Sequence, residues 1–331
     1  MVYLKYLDGN SFSGMRDGPV MFNNGTAEVP LYFRGRAIID AVIDSLKRNV
    51  MNAPTSITAA HHIVETGCSA GGLATYLHAD YVAAQLPHTG QYFSAPISGY
   101  FLNHQSVSGG YVYGDQIRSI YALSNASTNA DCQAHYRPTG EDWRCNMAEY
   151  VYPFIQANVF VLNSKFDSWQ TGCIMTSEPV TSNPFANGNC SAAPGWSACA
   201  RGIAACTGDQ ITAVVAPFGD YMQQSFLNTN KAKSLADGNG GFVNSCHTHC
   251  EAQGGGFDNF KIGDKTMVAA YTGACAGGAD LSWRRRAAAA LATRLPPRAE
   301  INPARPLRPR SLAPGQHRHG RQGARRRLVV I

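Results

Sequence analysis

The chain has 331 residues, 44% hydrophobic and 15% charged, enough to bury a sizeable core and too apolar for wholesale disorder. Its net charge of +6 is unevenly placed: residues 284–331 hold thirteen Arg, no Lys and one acid, Glu300, which leaves residues 1–283 at a net −6. A mildly acidic body excludes nucleic acid binding through overall basicity, and with no run of 18 apolar residues a transmembrane helix is excluded too.

In chain order, residues 1–33 hold three short strand-like runs, Val2–Tyr6, Val20–Phe22 and Leu31–Phe33, between Asp-Gly, Asn-Gly and Ser-Gly turn signals. Ile38, Ile39, Val42, Ile43 and Leu46 then recur at i, i+3, i+4 spacing, which predicts an amphipathic helix over about 35–49. A strand is expected at His62–Thr66, a helix at Gly71–Leu86, a strand at Tyr92–Ala95 and a helix at Ile117–Leu123. Beyond them come a strand at Asn158–Leu162, a helical stretch over 209–228 that Pro217 breaks or kinks, a short strand at Gly240–Val243 and a last helix at Thr266–Tyr271. Strands alternating with helices predict an α/β fold with a mostly parallel sheet and helices on both faces.

The ten Cys all lie between Cys68 and Cys275, and N-x-[ST] sequons start at Asn24, Asn125 and Asn189. Together they predict an oxidising compartment and a secreted, disulfide-bonded glycoprotein. Met1-Val-Tyr-Leu-Lys-Tyr6 is no signal peptide, so the native N-terminus is expected further upstream. The polar stretch 173–206 carries Cys173, Cys190, Cys199 and Cys206; it needs cross-links to become ordered, with the connectivity open. The division expected is a domain over 1–278 and a low-complexity Arg/Pro tail over 279–331. A polybasic interaction arm is one reading of the tail. The reading favoured here is a mispredicted or frame-shifted exon end, and both predict disorder.

Gly67-Cys68-Ser69-Ala70-Gly71-Gly72 satisfies G-x-S-x-G between a predicted strand and a predicted helix, the context in which that pattern presents a nucleophile. Glycines relieve clashes around a tight strand-to-helix turn. The helix N-terminus supplies partial positive charge and free amides, that of Ala70 foremost, for a developing oxyanion. The alternative is a Gly-rich turn with a bystander Ser. Cys68 could itself be a thiol nucleophile, but alternation points it away from the turn tip, toward burial or a disulfide.

A serine nucleophile needs an acid and a base, expected in the order Ser, Asp/Glu, His. Asp167 follows the strand at 158–162, where α/β sheets build their sites; without the other residues it reads as a turn or N-cap acid. The base candidates are His247 and His249, in Ser245-Cys-His-Thr-His-Cys250, and the chemistry alone leaves both open. A zinc reading of Cys246, His247, His249 and Cys250 lacks the separated second pair of ligands that structural zinc uses. A base flanked by disulfide-held cysteines is preferred, with no metal and no cofactor.

Six segments together resemble the pectin acetylesterase family, whose relatives include the animal Wnt deacylase Notum. They are YLDGNSFSG from Tyr6 to Gly14, Phe33-Arg-Gly35, GCSAGGL from Gly67 to Leu73, FDSWQ from Phe166 to Gln170, SCHTHC from Ser245 to Cys250, and KIGDK from Lys261 to Lys265. The resemblance spans about residues 3–275. It implies an α/β-hydrolase-like fold with Ser69 as nucleophile, Asp167 as orienting acid and His249 as base, leaving His247 on the rim. Two departures stand out. The family's Gly-Gly-Gly-Trp segment, whose amides help form the oxyanion hole, lies upstream of Met1, so the esterase domain is expected to be N-terminally incomplete and to lean on Ala70 alone. Leu7 stands where the family has Cys.

The function expected is a secreted serine esterase, extracellular or in the cell wall. It would deacetylate pectin or a related polysaccharide through an acetyl-enzyme, acting as a monomer with no nucleic acid partner and no membrane span. One alternative is a Notum-like carboxylesterase that removes a fatty acyl group from a protein. The other is a non-catalytic carbohydrate-binding relative.

Overall fold

The computed structural model describes residues 1–49, 56–86, 91–179, 190–230, 238–253, 256–274 and 328–330. At the N-terminus, β1 (Val20–Asn23) and β2 (Glu28–Leu31) pair antiparallel. Asn24 Oδ1 closes their turn by accepting from the amides of Thr26 and Ala27. The strands expected at Val2–Tyr6 and over the whole of Leu31–Phe33 do not form. Alternation says which side is apolar but supplies no partner edge, and Val2 and Leu4 instead pack against the cluster of Ile39, Ile43 and Leu46. Those three are the buried stripe of α1 (Gly35–Lys47).

The central sheet is built from β3 (His62–Cys68), β4 (Gln91–Ile97), β5 (Phe160–Ser164) and β6 (Gly240–Asn244), all parallel in the order β6-β5-β4-β3. Helix α2 (Ala70–Gln85) connects β3 to β4, α3 (Val112–Ser124) lies between β4 and β5, and the helix Ala216–Leu227 lies between β5 and β6. Alternate residues serve opposite faces, as a pleated strand requires. Val159 and Val161 pack with Tyr76, Tyr152 and Phe226, whereas Phe160 and Leu162 pack with Phe257, Met267 and Tyr271. Helices therefore cover both faces of an α/β-hydrolase-like sheet.

Pro217 does not break the 209–228 stretch. It sits in the first turn of Ala216–Leu227, just after a π-helical turn at Ile211–Val215. The run continues because the wider turn before it accommodates a residue with no N–H to donate and a ring that would clash with a regular turn.

Four disulfides form: Cys68–Cys250, Cys132–Cys145, Cys173–Cys190 and Cys199–Cys206. Cys246 is exposed with no disulfide partner among the described residues. The expected boundary at 278 and the tail over 279–327 lie outside the described residues. Leu328–Val330, within the apolar run that follows the last Arg run, is a strand and adds in parallel to the free edge of β3. No helix among the described residues is long and apolar enough to cross a membrane.

Candidate active site

Ser69 joins β3 to α2 with φ 59° and ψ −121°, a region of backbone space that residues with a Cβ rarely occupy. Its amide donates to the Ile97 carbonyl at 3.0 Å, and its carbonyl accepts from the Leu73 amide at 2.9 Å. Of the small neighbours anticipated from the sequence, Gly67 and Gly72 have a steric cause, whereas a Cβ on Gly71 would meet open space. A Cβ on Gly67 would stand 2.6 Å from the Gly71 backbone, and one on Gly72 would stand 2.3 Å from the Ile97 carbonyl oxygen. Helix α2 is thus pressed against the end of β4, with Ala70 as its first residue. The Ala70 amide is one of the donors that a helix N-terminus leaves without an intrahelical partner.

Asp167 follows β5 and is fully buried. Its Oδ1 accepts from the amides of Trp169 at 3.0 Å and Gln170 at 3.1 Å, so the cap role read from the sequence is real. Its Oδ2 lies 2.7 Å from His249 Nδ1. A carboxylate only accepts, so Nδ1 donates here, and the neutral form of the ring is the tautomer with its lone pair on Nε2. His247 turns elsewhere: its Nε2 lies 3.0 Å from Thr171 Oγ1. Partial burial lowers the His247 pKa, against an opposing pull from Asp167. The two histidines that the sequence left open therefore have separate partners.

The Cys68–Cys250 disulfide joins the residue before Ser69 to the residue after His249. One ring nitrogen of His249 lies within 4.8 Å of both sulfurs. Those sulfurs are bonded to each other and offer no thiolate to a metal, and Cys246 faces solvent. Cys68 is bridged, which removes it as a thiol nucleophile.

Three residues that sequence reading passed over hold the histidine loop: Ser98, Asn244 and Glu251. The Cys250 amide donates to Ser98 Oγ at 2.9 Å, and Ser98 in turn donates to Glu251 Oε2 at 3.2 Å. Spacing could not have found this contact, since 152 residues separate Ser98 from Cys250.

Beside the elbow is a cavity of about 440 Å³, lined by Ser69, Ala70 and Glu65 together with apolar Leu4, Ile39 and Val42. Burial pushes the Glu65 carboxyl up to about 8, against the hydrogen bond it receives from the Tyr92 hydroxyl.

Comparison with known proteins shows the family and the fold. Pectin acetylesterase 11 of Arabidopsis thaliana is 30% identical over 277 residues, 82% of this chain and 61% of that protein. Pectin acetylesterase 7 of the same plant is 29% identical over 273 residues, with the same two shares. The chain thus spans about 61% of the length of these relatives. The Wnt deacylase Notum from Drosophila shares the fold, with a TM-score of 0.53 at 19% identity over 87% of this chain and 68% of that one. The family model for pectinacetylesterase matches residues 1–270, a span that includes the elbow, Asp167 and the histidine loop, and the chain belongs to that family.

Proposed function

We propose that this chain is a secreted serine esterase that removes acetyl groups from pectin or a related cell-wall polysaccharide. The observation that carries the reading is the 2.7 Å bond between His249 Nδ1 and buried Asp167, on a loop tied by a disulfide to the residue before Ser69. Ser69 Oγ attacks the ester carbonyl while His249 Nε2 takes its proton. Asp167 holds the ring and balances the imidazolium charge. The tetrahedral oxyanion is stabilised by the Ala70 amide and the positive end of α2. Collapse returns the proton to the departing sugar hydroxyl and leaves an acetyl-enzyme. Water, deprotonated by His249, then releases acetate. No metal or organic cofactor enters these steps. Four disulfides support an oxidising compartment, and exposed Asn24 and Asn125 are accessible for glycosylation.

The test is acetate release from acetylated pectin. Ser69→Ala and His249→Ala are expected to lower kcat by about three orders of magnitude or more, whereas His247→Ala keeps most of it. Release that survives Ser69→Ala, or that needs His247 and not His249, defeats the assignment.

A second reading, removal of a fatty acyl group from a protein, is favoured by the apolar lining of the cavity beside Ser69. A series of 4-nitrophenyl esters separates the two. An acetyl pocket gives a kcat/KM that falls as the chain lengthens, and a fatty-acyl pocket gives one that rises.

A further inference from the structure

Asp167 fixes one edge of the His249 ring, but the backbone that carries His249 needs its own restraint. Cys250 sits at φ 63° and Ser98 at φ 46°, two residues held in a conformation that costs energy unless neighbours enforce it. Ser98 lies at the end of β4, fully buried, with its amide donating to the Leu162 carbonyl at 2.8 Å. Its oxygen accepts the Cys250 amide, and its hydroxyl hydrogen goes to Glu251 Oε2. Glu251 Oε1 accepts from Asn244 Nδ2 at 2.9 Å, and Asn244 Oδ1 accepts from the Cys246 amide at 2.9 Å. Asn244 and Glu251 thus hold the loop 245–250 at both ends. Ile97, the residue before Ser98, is the one whose carbonyl holds the Ser69 amide at 3.0 Å. Consecutive residues at the end of β4, Ile97 and Ser98, therefore set the position of Ser69 and of the loop that carries His249.

A carboxylate suits this place because it can only accept. It makes the Ser98 hydroxyl donate and turns the oxygen's lone pairs to the Cys250 amide. Burying it near Asp167 penalises its charge, a poor arrangement if stability were its only role. We infer that Ser98 and Glu251 are positioning residues for His249: Glu251 orients the Ser98 hydroxyl, and Ser98 holds the loop so that the imidazole meets Ser69. The inference rests on the esterase reading of the site.

The experiment takes Ser98→Ala, Glu251→Gln and the double variant through 4-nitrophenyl acetate kinetics, thermal unfolding and proton NMR. Ser98→Ala is expected to lower kcat by about tenfold to a hundredfold, the scale of a sub-ångström to ångström misplacement, with KM unchanged. Glu251→Gln lowers kcat in the parent background and by a smaller factor in the Ser98→Ala background, where only its contact with Asn244 is left to lose. The low-field Nδ1–H resonance between His249 and Asp167, assigned by its loss in His249→Ala, is expected to be sharp in the parent and broadened or lost in both single variants.

Unchanged kcat in a folded Ser98→Ala, or an equal factor for Glu251→Gln in both backgrounds, overturns the inference. Should Ser98→Ala fail to fold, Glu251→Gln carries the test through kcat and the resonance. An inactive parent would sink the esterase reading and not this one. The resonance then decides: persistence in both variants refutes the positioning role, and its loss supports it.

Discussion

Glu65 lies on β3 four residues before Ser69, in a strand whose apolar side chains fill the core on both faces. Burial favours its neutral form and pushes its pKa from 4.5 up to about 8. Between those two values the folded chain binds a proton that the unfolded chain has released. This stabilisation is complete below about pH 4.5 and is lost as pH rises through about 8. Glu65→Gln keeps a neutral side chain of the same shape, so it is expected to remove the dependence. Urea unfolding of parent and variant at pH 5 and pH 8.5 checks this: the variant gains relative to the parent at the higher pH, by on the order of a few kcal/mol. A difference that is equal at both pH values assigns the slope to other groups. Glu65 also shows what a single sequence hides at this scale. The acidic residue in the run His62–Thr66 is plain to see, but neither its burial nor its hydrogen bond from Tyr92, on the neighbouring strand, is.

At the scale of elements, the junction of β3, Ser69 and α2 was legible because its determinants are local. A β-branched run, a glycine-flanked serine and a helical apolar period follow one another within about 25 residues. What the sequence could not display is how closely α2 approaches β4. A Cβ on Gly72 meets the Ile97 carbonyl oxygen at 2.3 Å and the Gly99 Cα at 3.1 Å, both backbone atoms that no rotamer change can move aside. Gly72→Ala is therefore expected to push the first turn of α2 off the sheet, despite alanine's better helix propensity. Because Ile97 also holds the Ser69 amide, stability and kcat are expected to fall together. The loss of stability is about 1–3 kcal/mol, read from denaturant midpoints, and the kcat loss is at least about tenfold. A stabilised Gly72→Ala variant would mean that the helix has room at this contact. The histidine loop was legible in its residues but not in its supports. Ser98 and Glu251 meet only because the parallel order β6-β5-β4 puts the carboxyl ends of β6 and β4 on the same edge of the sheet, one strand apart.

For the whole molecule, the disulfides divide by what they connect. Cys132–Cys145, Cys173–Cys190 and Cys199–Cys206 close loops of 13, 17 and 7 residues within single connections. Cys68–Cys250 spans 182 residues and ties the first strand of the central sheet to the segment after its last crossover. Four Cys within a polar stretch indicated that residues 173–206 would be cross-linked, because local pairs leave a local trace. The long pair leaves none, since its partners become neighbours only when the sheet is complete. In the chain-entropy model the 182-residue link restricts the unfolded chain by about 5 kcal/mol and the 7-residue link by about 2 kcal/mol. Removing Cys68–Cys250 with a double Ala substitution is therefore expected to lower stability more than removing Cys199–Cys206, as judged by denaturant unfolding at equal protein concentration. The two are expected to differ in kind as well. Loss of the long link frees the loop of His249 from the strand of Ser69 and lowers kcat even where the protein remains folded. Loss of Cys199–Cys206, which joins neither β3 nor the loop of His249, is expected to leave kcat nearer the parent value. Equal kcat in both variants would make the long disulfide a staple for the fold alone and leave Ser98 and Glu251 to set the position of His249 without it.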